Sequence, residues 1–106
     1  MKTVTILKKA RALIAQPGKW TRHAYAKNKL GSEVDPLDKT ACKFCGLGAV
    51  RKVTKTKSDY DNACFDAIHT LNLAVNGEFF RFNDVANDKR QVLRIFDRAI
   101  EACTTT

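Results

Sequence analysis

Four stripes of apolar residues at helical spacing, and one stretch of alternation, organise the chain. Val4, Ile6, Leu7, Ala10, Leu13 and Ile14 predict a first helix from Thr3 to Gln16, with Thr3 as its cap and Pro17-Gly18 as its stop. From Trp20 to Lys27 the period changes to two: Trp20, Arg22, Ala24 and Ala26 alternate with Thr21, His23, Tyr25 and Lys27. Asn28 and Gly31 supply turn chemistry and Val34 returns, which predicts a β-hairpin. Asp35-Pro36 and Asp38 prepare a second helix, from about Lys39 to Val53, on which Phe44, Leu47, Val50 and Arg51 keep helical spacing.

The third helix carries Tyr60, Cys64, Ala67, Ile68, Leu71 and Val75, with Ser58 or Asp59 as its cap and Asn76-Gly77 as its stop. EFFRFNDVAN then reads as a connector, and Asn87 or Asp88 opens a fourth helix with Val92, Ile95, Phe96, Ala99, Ile100 and Cys103 on its buried stripe. Four stripes need a common core to cover them. The expected fold class is therefore α+β: a mainly helical single domain over residues 1–106, about four helices with one small β-hairpin between helices 1 and 2, and a frayed tail at 104–106.

Charge adds a direction to this picture. The formal net charge is +8 and is unevenly spread: residues 1–57 are +11, with 14 Lys and Arg against Glu33, Asp35 and Asp38, and residues 58–106 are −3. Such asymmetry points to a polyanionic partner or to two distinct surfaces. The bland alternative is a solvated basic face. No apolar run approaches the roughly 20 residues of a membrane span. The N-terminus lacks the long apolar core and cleavage site of a secretory signal. A cytoplasmic protein with no membrane contact is expected.

The chemistry worth weighing starts at CKFCGLGAV, residues 42–50. Cys42 and Cys45 could give two of the four ligands that zinc requires. No second C-x-x-C or H-x3-H completes the set, and Cys64 and His69 would stand about 140° apart around a helix. A thioredoxin-like pair would need a parallel sheet that the chain does not offer. The glycines match neither a dinucleotide loop nor a P-loop. No metal and no cofactor are therefore expected. Gly46 and Gly48 instead predict that another element lies close across this segment, with Cys45 buried beside them. The enzymatic alternative makes Cys45 a nucleophile with His23 or His69 as base, and Asp84 as a further candidate.

Trp20-Thr21-Arg22-x-Ala24-Tyr25-Ala26, Cys45-x-Leu47-Gly48-Ala49, Phe82-Asn83-Asp84 and Phe96-Asp97-Arg98-Ala99-Ile100-Glu101-Ala102 together resemble a small, functionally uncharacterised family of phages and bacteria. Its pattern has an aromatic before a single cysteine, which Phe44-Cys45 fits, and a Trp where Phe82 stands. Cys42 has no counterpart in it, which argues against a two-cysteine site. The resemblance implies phage-related work, such as host takeover or anti-defence, and brings no known activity.

Three functions remain in play. The first is a basic binding protein whose partner is nucleic acid or an acidic protein of host or phage. It would use Trp20, Arg22, Tyr25, Lys27 and Lys29 of the hairpin, with Arg51, Lys52, Lys55 and Lys57 as a second basic run. The second is a nucleotide or small-ligand sponge, which needs a basic pocket. The third is a cysteine enzyme. A monomer or a small homo-oligomer suits all three. Asn83-Asp84 reads either as turn and cap chemistry or as a polar cluster at the mouth of a pocket formed with Trp20, Arg22 and Tyr25.

Overall fold

A computed structural model describes residues 2–58 and 61–104. In chain order the elements are α1 (Thr3–Ala15), β1 (Ala26–Lys27), β2 (Lys43–Phe44), α2 (Gly46–Thr54), α3 (Asn62–Val75), α4 (Phe79–Val85) and α5 (Lys89–Thr104). The mainly helical α+β class is as the apolar pattern predicts, with one small antiparallel pair of strands between the first two helices. The additional helix, α4, occupies the stretch read as a connector.

The long helices follow their stripes. Ile6, Leu7, Ala10 and Ile14 of α1 are fully buried, as are Cys64, Ala67 and Leu71 of α3 and Val92, Phe96 and Ala99 of α5. Lys2 rather than Thr3 occupies the N-cap of α1, and no side chain caps it. Gln16 ends α1 in an extended conformation, as a residue before proline must. Asp61 is the N-cap of α3, and the expected cap Asp59 and stripe residue Tyr60 lie outside the described residues. Asn76 closes α3 in the left-handed conformation, with Gly77 N–H donating to the Asn72 carbonyl at 3.1 Å. Asp88 caps α5 through the Gln91 N–H at 3.3 Å, and Lys89 Nζ donates to the last carbonyls of α1, Ala15 and Gln16. That contact and the Arg11–Asp97 ion pair lay α1 and α5 antiparallel.

Two expectations need correction between residues 20 and 45. The strand from Trp20 does not run unbroken, because His23 takes the left-handed conformation at φ 66° and breaks the alternation. The second helix starts at Gly46 and not near Lys39. Asp35 and Asp38 spend their cap chemistry on turns, accepting the N–H groups of Leu37 and Thr40, each at 2.8 Å. The Thr40 hydroxyl also bonds Asp38, and this bond, reinforced by the N–H, holds that carboxyl below its ordinary value. The chain then extends into β2. Ala26 pairs with Phe44 and Lys27 with Lys43. The other edge of β1 takes the expected return, where Lys27 bridges Glu33 and Val34 N–H donates to the Ala26 carbonyl at 3.1 Å. The far edge of β2 takes Trp20 in a parallel bridge. Side chains alternate across this ribbon: Ala26 and Phe44 face the core, while Lys43 is exposed and Lys27 half-buried.

Candidate functional site

The start of α2 is where distant segments meet. Cys45 is its N-cap, with its carbonyl accepting the Ala49 N–H at 2.9 Å and its Sγ accepting the Gly48 N–H at 3.3 Å. Cys45 N–H donates to the Tyr25 carbonyl at 3.1 Å. That carbonyl lies where a side chain at Gly48 would begin, and the Phe79 ring fills the same space at Gly46. Both glycines are thus required by close approach, one of backbone and one of an aromatic ring.

Asn83 locks this junction. It is fully buried in α4, and its Oδ1 accepts both Trp20 Nε1 at 2.9 Å and Gly46 N–H at 3.0 Å. Its Nδ2 donates to the Thr21 carbonyl at 3.1 Å. A buried amide is tolerable only when its donors and acceptors are met in this way. The adjacent Asp84 faces outward. Its Oδ1 accepts the His23 N–H at 2.8 Å, and its Oδ2 lies 3.7 Å from His23 Nδ1.

Beside this junction lies a cleft of about 250 Å³, walled by His23, Ala24, Tyr25, Glu33, Cys45, Phe80 and Asp84. The three residues named from the sequence as catalytic candidates, Cys45, His23 and Asp84, therefore share one cavity. His69 does not. It lies on the exposed face of α3, stacked on Phe65 with ring centroids 6.1 Å apart. Two carboxylates, Glu33 and Asp84, line the cleft, which disfavours a nucleotide there. Phe80 and Glu33 are lining residues that sequence reasoning missed. Phe80 stands between two other candidates for burial, Phe79 and Phe82, and gives no sign of being the one at the lip.

Cys42 stands apart from Cys45. The two flank β2, and Cys42 lines a separate groove with Lys29, Leu30 and Lys39. Two positions three apart on extended chain point to opposite sides, so the C-x-x-C spacing brings no pair together. No group of three or more metal-ligating side chains occurs among the described residues.

The expected basic residues divide into two kinds. Arg22 stacks on Trp20 at 5.0 Å and donates to the Asn87 carbonyl at 3.0 Å, and Arg51 covers the Tyr25 ring at 4.1 Å. These arginines and aromatics hold the fold together. Lys27 and Lys43 face each other directly across the ribbon, with Lys29 and Lys39 beyond them on the groove. Lys52, Lys55 and Lys57 are exposed at the C-terminal end of α2, where cations complement the helix dipole.

These features define a small helical protein with a lysine-bearing ribbon and a cysteine-walled cleft. A family model described as a family of unknown function, DUF6197, matches residues 1–102, and the chain belongs to that family. No curated protein and no solved structure matches it. No helix among the described residues is long and apolar enough to cross a membrane.

Proposed function

We propose that the protein is a basic binding module that holds the phosphate backbone of a nucleic acid through non-covalent contacts of its lysines. The observation that carries this reading is the direct cross-strand pair Lys27–Lys43. Like charges in that position oppose strand pairing, and an anion seated between them relieves the repulsion. None of Lys27, Lys29 and Lys43 forms a salt bridge among the described residues. Lys39 extends the cluster, and Lys52, Lys55 and Lys57 add positive charge at the end of α2.

With Trp20 and Tyr25 engaged inside the molecule, base stacking contributes little, and recognition is of backbone charge rather than sequence. The test is a salt titration of binding to labelled single- and double-stranded oligonucleotides. Affinity should fall linearly with log salt, and each lysine lost from a phosphate contact should reduce the slope by about one. Reversing Lys27 and Lys43 together should flatten the slope by about two units. Absence of binding to either oligonucleotide at low salt removes nucleic acid and leaves an acidic protein as the partner class for the same lysines.

A further inference from the structure

We propose that the cleft beside α2 is a thiol-based acyl-transfer site, with Cys45 as nucleophile, His23 as its base and Asp84 as the residue that positions His23. Cys45 stands at the N-terminus of a nine-residue helix, and its sulfur accepts the Gly48 N–H. Both the helix dipole and this bond favour the thiolate over the thiol. Cys45 is 6% exposed and is one of the residues that wall the cleft.

His23 enters the same cavity because its backbone departs from the strand. A left-handed φ of 66° is unfavourable at a non-glycine residue, and the bond from its N–H to Asp84 Oδ1 holds it there. The other Asp84 oxygen lies 3.7 Å from Nδ1. The carboxylate is thus fixed by the main chain of the very residue whose ring it faces. That arrangement places the carboxylate beside Nδ1 of an imidazole whose side chain is 71% exposed, and leaves Nε2 for the proton. Among the described residues, the other ionisable groups around the cavity are Glu33, from the return of the ribbon, and Tyr25, from the segment entering β1. With Phe80 at the α4 side, they fit an ester or thioester whose acyl group is uncharged or cationic.

The step balances without an oxidant or reductant. His23 takes the proton from Cys45 Sγ, sulfur bonds to the carbonyl carbon, and the bond to the leaving oxygen or sulfur breaks. His23 returns the proton to that leaving group. Water then cleaves the enzyme thioester, releasing the carboxylic acid and restoring the thiol.

The experiment uses the purified protein and two probes. Iodoacetamide alkylation is followed at each of the four cysteines by mass spectrometry across pH, and p-nitrophenyl acetate is mixed in stopped flow. Cys45, although more buried than Cys42, should alkylate about ten-fold faster near neutral pH. The ester should give a burst of one equivalent of p-nitrophenolate, with acetyl left on Cys45. His23→Gly suits the left-handed backbone while deleting the imidazole, so it should melt like the wild type, lose the burst, and move the alkylation profile to the pH of an ordinary thiol. Asp84→Asn should move the profile in the same direction by less. Cys45 slower than Cys42 at every pH, acetyl on another residue, or an unchanged profile in folded His23→Gly would each overturn the proposal.

Discussion

Gly48 and Asn83 are the residues on which the junction depends, for opposite physical reasons. Gly48 is needed for what it lacks, since the Tyr25 carbonyl occupies the position of a side-chain carbon. Gly48→Ala should therefore destabilise by about 3 kcal/mol, because a backbone carbonyl cannot rotate away as a side-chain tip can. Cys42→Ser, at a half-buried groove position, should stay within about 0.5 kcal/mol. Urea midpoints of the two variants check the contrast, and equal losses would mean that the Tyr25 backbone does not lie across α2. Asn83 is needed for what it supplies. Asn83→Leu would leave Trp20 Nε1, the Gly46 N–H and the Thr21 carbonyl unmet in a dry site. A loss of about 3 kcal/mol or more is expected, read by the same denaturation together with a red shift of Trp20 fluorescence.

At the scale of elements, the ribbon sets stability against binding. Lys43→Glu places a carboxylate opposite Lys27, which should raise stability by about 0.5 kcal/mol. The same change removes a phosphate contact and weakens oligonucleotide affinity. Opposite signs in the melt and in the binding curve are the expected result. A destabilised variant would show that the two side chains do not share a face. The helix that follows the ribbon begins four residues beyond Cys42 and is capped by Cys45, so the C-x-x-C spacing is a consequence of a strand ending where a helix starts.

The whole molecule should respond to acid through the groups whose carboxylates the fold favours. Arg90 beside Asp88, and then the Gln91 N–H, hold that carboxyl below its ordinary value of 3.8. A pKa depressed in the folded state gives stability that is present above the unfolded value and lost as pH falls through the folded one. Asp88→Asn should therefore lower the melting temperature somewhat above pH 5 and converge with the wild type in stronger acid, so that its fall below about pH 4 is shallower. Chelator treatment should leave the melting temperature and the helical circular dichroism unchanged, since no ligand cluster joins the described cysteines, histidines and carboxylates. Stoichiometric zinc with loss of structure on its removal would contradict that reading.

What the sequence determined by itself is everything that rests on neighbours in the chain. The stripes of α1, α3 and α5, the left-handed stop at Asn76, the Asp88 cap and the need for glycine near Cys45 are local consequences of helical period and backbone sterics. Charge asymmetry was equally legible, because it is a sum. Tertiary structure decided what rests on partners remote in the chain. Asp35 and Asp38 carry the chemistry of helix caps, yet the ribbon's hydrogen bonds hold residues 43–44 extended and move the helix start to Cys45. Asn83 reads as a turn residue, and only Trp20, Thr21 and Gly46 arriving from 37 to 63 residues away make its burial affordable. His23, Cys45 and Asp84 were each visible as candidates. Their meeting in one cleft depends on a backbone bond between residues 61 apart, and no local period encodes such a contact.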